Sequence, residues 1–148
     1  MQKRLPLTTN VVIRNDLKEL SLLSEAMRHI GAEQRISPKP LMQLQVALDE
    51  VVSNVIRYAW PDGGAHEIHI NITVHGDEVK IEIVDDGVKF NPLHAPMPPR
   101  PQQGARRRSG GVGIHMTKQL VDTIAFERVG NSNHLTLIKR HAIDVASQ

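Results

Sequence analysis

The chain contains no cysteine. It can therefore form no disulfide, and both a catalytic thiol and a cysteine-ligated metal site are excluded. No apolar run is long enough to cross a bilayer, and no apolar signal core follows the basic residues near the amino terminus. These absences predict a cytoplasmic protein with no membrane partner.

Aromatic residues are scarce, with one Trp, one Tyr and two Phe, so aliphatic side chains must fill the core. The formal net charge is only +2, and no aromatic residues are interleaved with the basic ones. Both observations argue against nucleic acid as a partner. A length of 148 residues can bury a core and is typical of one domain, so we expect a single domain spanning residues 1–148.

Two segments have apolar residues at helical spacing. The first helix is predicted over Leu17–Ile30, with Asp16 as its cap and Gly31 as its stop signal. The second is predicted to begin at Ser37-Pro38, a capping hydroxyl followed by proline, and to end near Tyr58–Trp60. A third, shorter helix is predicted over residues 114–121.

Alternating apolar and polar residues predict strands, and the two middle ones should form an antiparallel hairpin. The predicted strands are Leu7–Arg14, Glu67–Val74, Val79–Asp85, Ile124–Val129 and Leu135–Arg140. The predicted fold is therefore α+β: a two-layer α/β sandwich with a mostly antiparallel sheet and its helices on one face.

The segment at about 91–110 fits neither a helix nor a strand. It holds five of the nine prolines, followed by the run Arg106-Arg107-Arg108. A loop of this length inside a compact domain is usually functional or disordered. We interpret it as a lid.

Glu50 and Asn54 are four residues apart on the second predicted helix, so their side chains are neighbours. A solvated polar face would also explain an arbitrary Glu–Asn pair. Asparagine, however, is a poor residue for the middle of a helix. Its carbonyl oxygen is a suitable ligand for Mg²⁺, and a carboxylate one turn away could act as a general base. We therefore single out both residues.

Asp85-Asp86-Gly87 ends a predicted strand. A polar turn is the simplest explanation. The functional alternative is that Asp85 accepts a hydrogen bond from an exocyclic amine such as that of adenine, while Gly87 lets the backbone approach the base. Phe90 is expected in the core rather than in a pocket wall.

Gly110-Gly111-Val112-Gly113 precedes the third predicted helix. Backbone N–H groups in such a loop favour an anion such as phosphate. The loop matches neither the P-loop pattern nor the dinucleotide fingerprint, so it is weak support by itself. His66 and His69, three apart on a predicted strand, should face opposite sides and share no metal.

In this order, the motifs resemble those of a known family. Ala47–Trp60 resembles the N box of the stand-alone bacterial anti-sigma serine/threonine kinases, and Val84–Pro92 and Gly110–His115 resemble their two glycine boxes. Asn133–Lys139 is similar to their closing strand. The resemblance covers nearly the whole chain. It extends to the ATP-binding domain of DNA gyrase, histidine kinases and MutL, known as the Bergerat or GHKL fold.

The resemblance implies a kinase that binds ATP and Mg²⁺ and phosphorylates a Ser or Thr of a STAS-domain anti-anti-sigma protein. Such a regulator alternately sequesters a sigma factor or another output protein, and members are frequently homodimers. By the same resemblance, Glu50 is the general base, Asn54 is the Mg²⁺ ligand, and Asp85 and Gly87 contact adenine. The remaining implied ATP-binding residues are Gly111, Val112 and Gly113 along the phosphates, and Thr136 in support of Asp85.

Two other functions stay open at this point. One is an ATP-binding module that sequesters a partner without catalysis. The other is an ATPase fragment related to histidine kinases. Tyr58 departs from the family pattern, since many relatives have histidine four residues after the asparagine.

Overall fold

The computed structural model describes residues 6–91 and 116–141. Outside these residues lie most of the predicted lid, the glycine loop and the start of the third predicted helix. The described part of that helix, residues 116–120, is helical. The strands are β1 (Leu7–Arg14), β2 (Glu67–His75), β3 (Glu78–Asp85), β4 (Thr123–Val129) and β5 (Ser132–Arg140). The helices are α1 (Leu20–Glu33) and α2 (Pro38–Tyr58), with a 3₁₀ turn at Leu17–Glu19 before α1.

The five strands form one sheet in the order β1-β2-β3-β5-β4, and every neighbouring pair is antiparallel. The predicted hairpin is confirmed: β2 and β3 pair from His69↔Val84 to His75↔Glu78. Strand β3 lies between the hairpin partner β2 and the distant β5, which brings the end of β3 beside the start of β5.

One face of the sheet carries the core. Along β2, residues Ile68, Ile70 and Ile72 are fully buried, while the intervening side chains are exposed or half-buried. Leu23 and Met27 of α1 and Leu44, Leu48 and Val52 of α2 belong to the same core cluster. Burying each such side chain stabilises the fold by roughly 1.5–3 kcal/mol. The predicted α+β sandwich, with its helices on one face, is confirmed.

Asp16 caps the start of the first helical segment, as predicted. Its Oδ1 accepts a hydrogen bond from the backbone N–H of Lys18 at 3.0 Å. Glu19 does not complete a capping box, because its Oε1 accepts from the backbone N–H of Arg14 at 3.1 Å. This contact ties the end of β1 to the first turn. Ser37 occupies the cap position of α2 without making a capping hydrogen bond through its side chain.

The prediction that Gly31 ends the first helix is wrong. Gly31 is buried inside α1, and a Cβ there would lie 2.5 Å from Leu41 Cδ2 of α2. The helix continues to Glu33, and Arg35, two residues beyond this end, has a φ of 54°. The backbone N–H of Ile36 then donates to Gly31 O at 2.9 Å, and that of Arg35 donates to Ala32 O at 3.4 Å. This is a Schellman ending with arginine in the left-handed position.

Among the described residues, no helix is long and apolar enough to cross a membrane.

Candidate functional site

Glu50 and Asn54 contact each other on α2. Asn54 is only 1% exposed, and its Nδ2 lies 3.4 Å from Glu50 Oε1, to which it donates. Glu50 is half-buried, and its backbone carbonyl accepts a hydrogen bond from Ser53 Oγ at 3.0 Å. A buried amide is costly unless it is hydrogen-bonded, so the carboxylate compensates for the burial of Asn54.

The orientation of the Asn54 amide bears on metal binding. Because Nδ2 turns toward Glu50, the carbonyl oxygen is the atom left to bind a cation. A neutral carbonyl oxygen beside a carboxylate is a donor set that suits Mg²⁺, which prefers hard oxygen ligands and keeps several waters. Within residues 6–91 and 116–141, no three His, Asp or Glu side chains come together as a metal site. Water and the oxygens of a bound phosphate are the usual further ligands of Mg²⁺ in a site with one or two protein oxygens.

Asp49, beside this pair, was not singled out from the sequence. It is half-buried, and burial raises the pKa of its carboxyl group. Asn54 directs its amide to Glu50 and not to Asp49. The two adjacent acids are thus distinguished by the contact that Glu50 alone makes with Asn54.

Asp85 is buried at the end of β3, where it is only 5% exposed. Its Oδ1 accepts two hydrogen bonds, from the backbone N–H of Gly87 and from Asn133 Nδ2, both at 2.9 Å. Burial raises the pKa of the Asp85 carboxyl group; the two hydrogen bonds and the nearby Arg128 oppose this, while Asp86 adds to it. The carboxylate is held from one side, and Oδ2 is the oxygen left to accept a bond from a ligand.

Asn133 is a site residue that the sequence analysis missed. It is 2% exposed and faces Asp85 directly across the β3–β5 ladder. Besides Asp85, its Nδ2 donates to Val88 O at 2.8 Å. Its Oδ1 accepts from the backbone N–H of Phe90 at 3.3 Å and from Arg128 Nη1 at 3.0 Å. All four hydrogen-bonding positions of this amide are therefore occupied.

Thr136 does not support Asp85. It pairs with Glu82 of β3, three positions from the Asp85↔Asn133 pair. Successive strand residues face opposite sides of a sheet, so an odd separation from Asn133 puts Thr136 on the face opposite Asp85. The burial pattern of β5 agrees, since Asn133, Leu135 and Leu137 are buried and Thr136 is half-buried. The support that was expected from Thr136 comes from Asn133.

Arg128 of β4 lies behind Asn133. Its Nη1 donates to Asn133 Oδ1 and also to Gly87 O at 2.8 Å, and its Nε donates to Gly130 O at 3.2 Å. Arg128 is also the β4 neighbour of Asn133 in the sheet register. Asp85, Asn133 and Arg128 thus form one row across three adjacent strands.

Gly87 has a steric role at the end of α2. A Cβ on this residue would lie 2.4 Å from the carbonyl oxygen of Ala59 and 2.6 Å from its Cβ. The neighbouring Val88 N–H donates to the same carbonyl at 2.8 Å. The turn after Asp85 therefore sits directly on the carboxyl end of the helix that carries Asn54. Glycine is needed at this position because of the contact with Ala59, whether or not the backbone also approaches a base.

Aromatic rings surround this turn. The rings of Tyr58 and Phe90 are 5.4 Å apart, and both side chains are accessible to solvent. Phe90 is half-buried and is not part of the core cluster in which we expected it. Trp60 stacks on His66 with ring centroids 4.7 Å apart and an interplanar angle of 2°, and its Nε1 donates to Asp86 at 3.3 Å.

A cavity of about 550 Å³ opens beside the same end of the sheet. It is lined by Ala65, His66, Glu67, His69, Val84, Asp85, Asp86 and Ser132. His69 and Val84 occupy strand positions that face away from the helices, whereas Asp85 occupies a buried, core-facing position, so the lining includes residues of both faces of the sheet. His66 lies just before β2 begins, so the alternation along the strand does not set its direction, and it lines this cavity together with His69.

Three predicted phosphate-binding residues, Gly111, Val112 and Gly113, lie outside the described residues. The structure brings together Glu50 and Asn54 on the helix, and Asp85 and Gly87 on the turn that contacts its end.

The sequence matches the model of the histidine kinase-like ATPase domain over residues 13–139. The chain belongs to this family. The resemblance to GHKL domains, which rested on the three motifs, is thereby confirmed.

Two relatives of this histidine kinase-like ATPase domain are named as protein kinases. This chain is 27% identical over 116 residues to the serine/threonine-protein kinase BtrW of Bordetella bronchiseptica, and the match covers 78% of this chain and 82% of the relative. It is 28% identical over 97 residues to the serine-protein kinase RsbW of Oceanobacillus iheyensis, covering 60% of this chain and 58% of that protein.

Among solved structures, part of the structure of the RsbU and RsbW domains of Rv1364c from Mycobacterium tuberculosis superposes on this ATPase domain with a TM-score of 0.65. The identity is 15%, and the match covers 91% of this chain and 32% of that one. At this identity the superposition shows that the fold is shared.

Proposed function

We propose that the protein is an ATP-dependent serine/threonine kinase of the partner-switching type. It phosphorylates a Ser or Thr of a STAS-domain anti-anti-sigma protein and alternately sequesters a sigma factor or another output protein. The observation that carries the proposal is the contact between the buried Asn54 amide and Glu50, on a helix whose end supports the Asp85 turn. The two relatives named as serine kinases give independent support.

In the proposed complex, Asp85 accepts a hydrogen bond from the exocyclic amine of adenine. The carbonyl oxygen of Asn54 holds Mg²⁺, whose charge would neutralise the β- and γ-phosphates. Gly111, Val112 and Gly113 lie along the phosphates and offer backbone N–H groups. ATP is therefore fixed at both ends by groups on the turn and on α2.

Glu50 is the proposed general base. Phosphoryl transfer depends mainly on positioning and charge neutralisation, and the base only has to accept the proton of the attacking hydroxyl group. The hydrogen bond from Asn54 orients the Glu50 carboxylate. One side chain would thus connect the metal and the base.

Phosphate transfer from labelled ATP to STAS-domain proteins of the same genome tests the proposal. We expect the wild-type protein to label one of them. Glu50→Gln should bind ATP normally but transfer phosphate about 10²- to 10⁴-fold more slowly, the usual contribution of a general base. Asn54→Ala should lose the Mg²⁺-dependent part of ATP binding.

Asp49→Asn is the matched control, since it removes the neighbouring carboxylate that does not contact Asn54. It should transfer phosphate at close to the wild-type rate. Full activity of Glu50→Gln would contradict the assignment of the base. ATP binding without transfer to any STAS-domain protein would replace the kinase with a non-catalytic sequestration module.

A further inference from the structure

The row formed by Asp85, Asn133 and Arg128 suggests how the site selects its base. An asparagine amide can adopt two orientations that differ in which atom faces a given neighbour, and its partners decide between them. Arg128 Nη1 and the backbone N–H of Phe90 are obligate donors, and both point at Asn133 Oδ1. The amide nitrogen must therefore face Asp85 and the carbonyl of Val88.

This orientation determines what Asp85 can do. Asn133 Nδ2 and the backbone N–H of Gly87 both donate to Asp85 Oδ1, so this oxygen cannot also carry a proton directed at either of them. The ionised carboxylate then offers Oδ2 as an acceptor. A carboxyl group protonated on Oδ2 would instead be a donor at that position.

Burial works against the ionised state, because it raises the pKa of the Asp85 carboxyl group. Asp86 raises this pKa further, whereas Arg128, Asn133 and the Gly87 N–H lower it. Arg128 is the only permanent positive charge among these groups, and it acts both directly and through Asn133. Its contacts with Gly87 O and Gly130 O hold the guanidinium in place.

We propose that Arg128 is a positioning residue that, through Asn133, keeps Asp85 a hydrogen-bond acceptor and so selects a 6-aminopurine nucleotide over a 6-oxopurine nucleotide. The inference rests on the proposed binding of ATP with Asp85 at the base. A 6-amino group is a donor and pairs with an acceptor at Oδ2. A 6-oxo group is an acceptor and would need a protonated Asp85.

The test compares binding of ATP and inosine triphosphate, whose bases differ in the 6-substituent and in the proton that hypoxanthine carries at N1. We expect the wild-type protein to prefer ATP. Arg128→Met keeps an unbranched apolar stem but removes every donor. It should weaken ATP binding about 10- to 100-fold, the range expected for loss of charge-assisted hydrogen bonds, and leave the affinity for inosine triphosphate unchanged or higher.

Two further variants separate positioning from a general effect. Arg128→Lys retains the charge and one donor group and should recover part of the preference for ATP. Arg140→Met removes an exposed positive charge from β5 and should leave the preference unchanged.

A second measurement needs no nucleotide: the ¹³C-detected titration of Asp85 should show a higher pKa in Arg128→Met than in the wild-type protein.

The outcomes distinguish this inference from the proposed function. An equal loss of affinity for both nucleotides in Arg128→Met, or an unchanged preference for ATP, would overturn the role of Arg128 while leaving an ATP-dependent kinase intact. A wild-type protein that binds neither nucleotide would overturn the proposed function and the selectivity together.

Discussion

Replacing Gly87 with alanine tests whether the turn after Asp85 needs glycine for contact with α2. Gly87 is not among the glycines with positive φ, so alanine is compatible with its backbone conformation. The obstacle is steric, because the new Cβ would lie 2.4 Å from the Ala59 carbonyl oxygen. That atom belongs to the helix backbone and cannot rotate away. The turn must move instead.

The expected cost follows from three effects. Overpacking against a rigid neighbour costs about 1–3 kcal/mol. Moving the turn also weakens the hydrogen bond from Val88 to Ala59, which is worth about 0.5–1.5 kcal/mol. Alanine restricts the unfolded chain more than glycine does, and this effect raises the free energy of unfolding by about 0.4–1 kcal/mol. We expect Gly87→Ala to lower the free energy of unfolding by roughly 2 kcal/mol.

Gly31→Ala is a matched control. Its Cβ would also meet an atom at short range, 2.5 Å, but that atom is Cδ2 of Leu41, the end of a side chain that can change rotamer. Gly31 lies inside α1, where alanine is favoured over glycine by about 1 kcal/mol. The two effects oppose each other. The free energy of unfolding should therefore change by less than about 1 kcal/mol.

Urea unfolding followed by the fluorescence of Trp60 measures both variants, because Trp60 is the single tryptophan and lies close to the turn. ATP affinity is measured in parallel under native conditions. If Gly87→Ala were as stable as the wild-type protein but bound ATP poorly, glycine would be needed for the base and not for Ala59, and the steric argument would be refuted.

Two further substitutions test the pKa of Asp85 and the cap at Asp16. Burial raises the pKa of the Asp85 carboxyl group above its ordinary value of 3.8. The folded state therefore binds a proton more readily than the unfolded state does. The free energy of unfolding falls as the pH rises from the unfolded pKa through the folded pKa. Asp85→Asn should remove this loss and abolish ATP binding. At pH 7 the Asp85→Asn variant should therefore have a higher free energy of unfolding than the wild-type protein, and this difference should shrink toward pH 3. A difference that does not depend on pH would contradict the raised pKa of Asp85. Asp16→Ala should lower the unfolding free energy by about 1 kcal/mol through loss of the cap, whereas Asp62→Ala in an exposed turn should change it by less than about 0.5 kcal/mol, both by urea unfolding.

Strands were predictable because burial on one face imposes a period of two on the sequence. Strand β1 has the predicted bounds, and β2 and β3 differ from the prediction by one residue at one end. Gly31 was interpreted wrongly because a glycine near a helix end usually reports a local turn. Here the glycine lies against Leu41 of α2, and a tertiary contact of this kind cannot be inferred from the neighbouring sequence.

The pair Glu50 and Asn54 was predictable because helical geometry alone makes residues four apart neighbours. The contact between Gly87 and Ala59 was not, because it depends on how the sheet and α2 pack together. Thr136 was chosen by similarity of motif. Counting from Leu135 and Leu137, whose spacing marks the inward face of β5, would have excluded it and would have assigned Asn133 to that face.

A sequence signal for the remaining site residues does exist, although it needs the strand order to be interpreted. In β3, β4 and β5, the inward positions are apolar until one end, where each row finishes in a polar residue. These rows are Ile81, Ile83 and Asp85; Ile124, Phe126 and Arg128; and Leu137, Leu135 and Asn133. An unpaired polar group at a core-facing position is costly, so three of them are tolerated only where the strands bring them together. The sheet register places Asn133 opposite both Asp85 and Arg128, and the hydrogen bonds between them follow from that row. Polar residues that interrupt an apolar alternation at the same end of adjacent strands therefore identify this site better than any single motif.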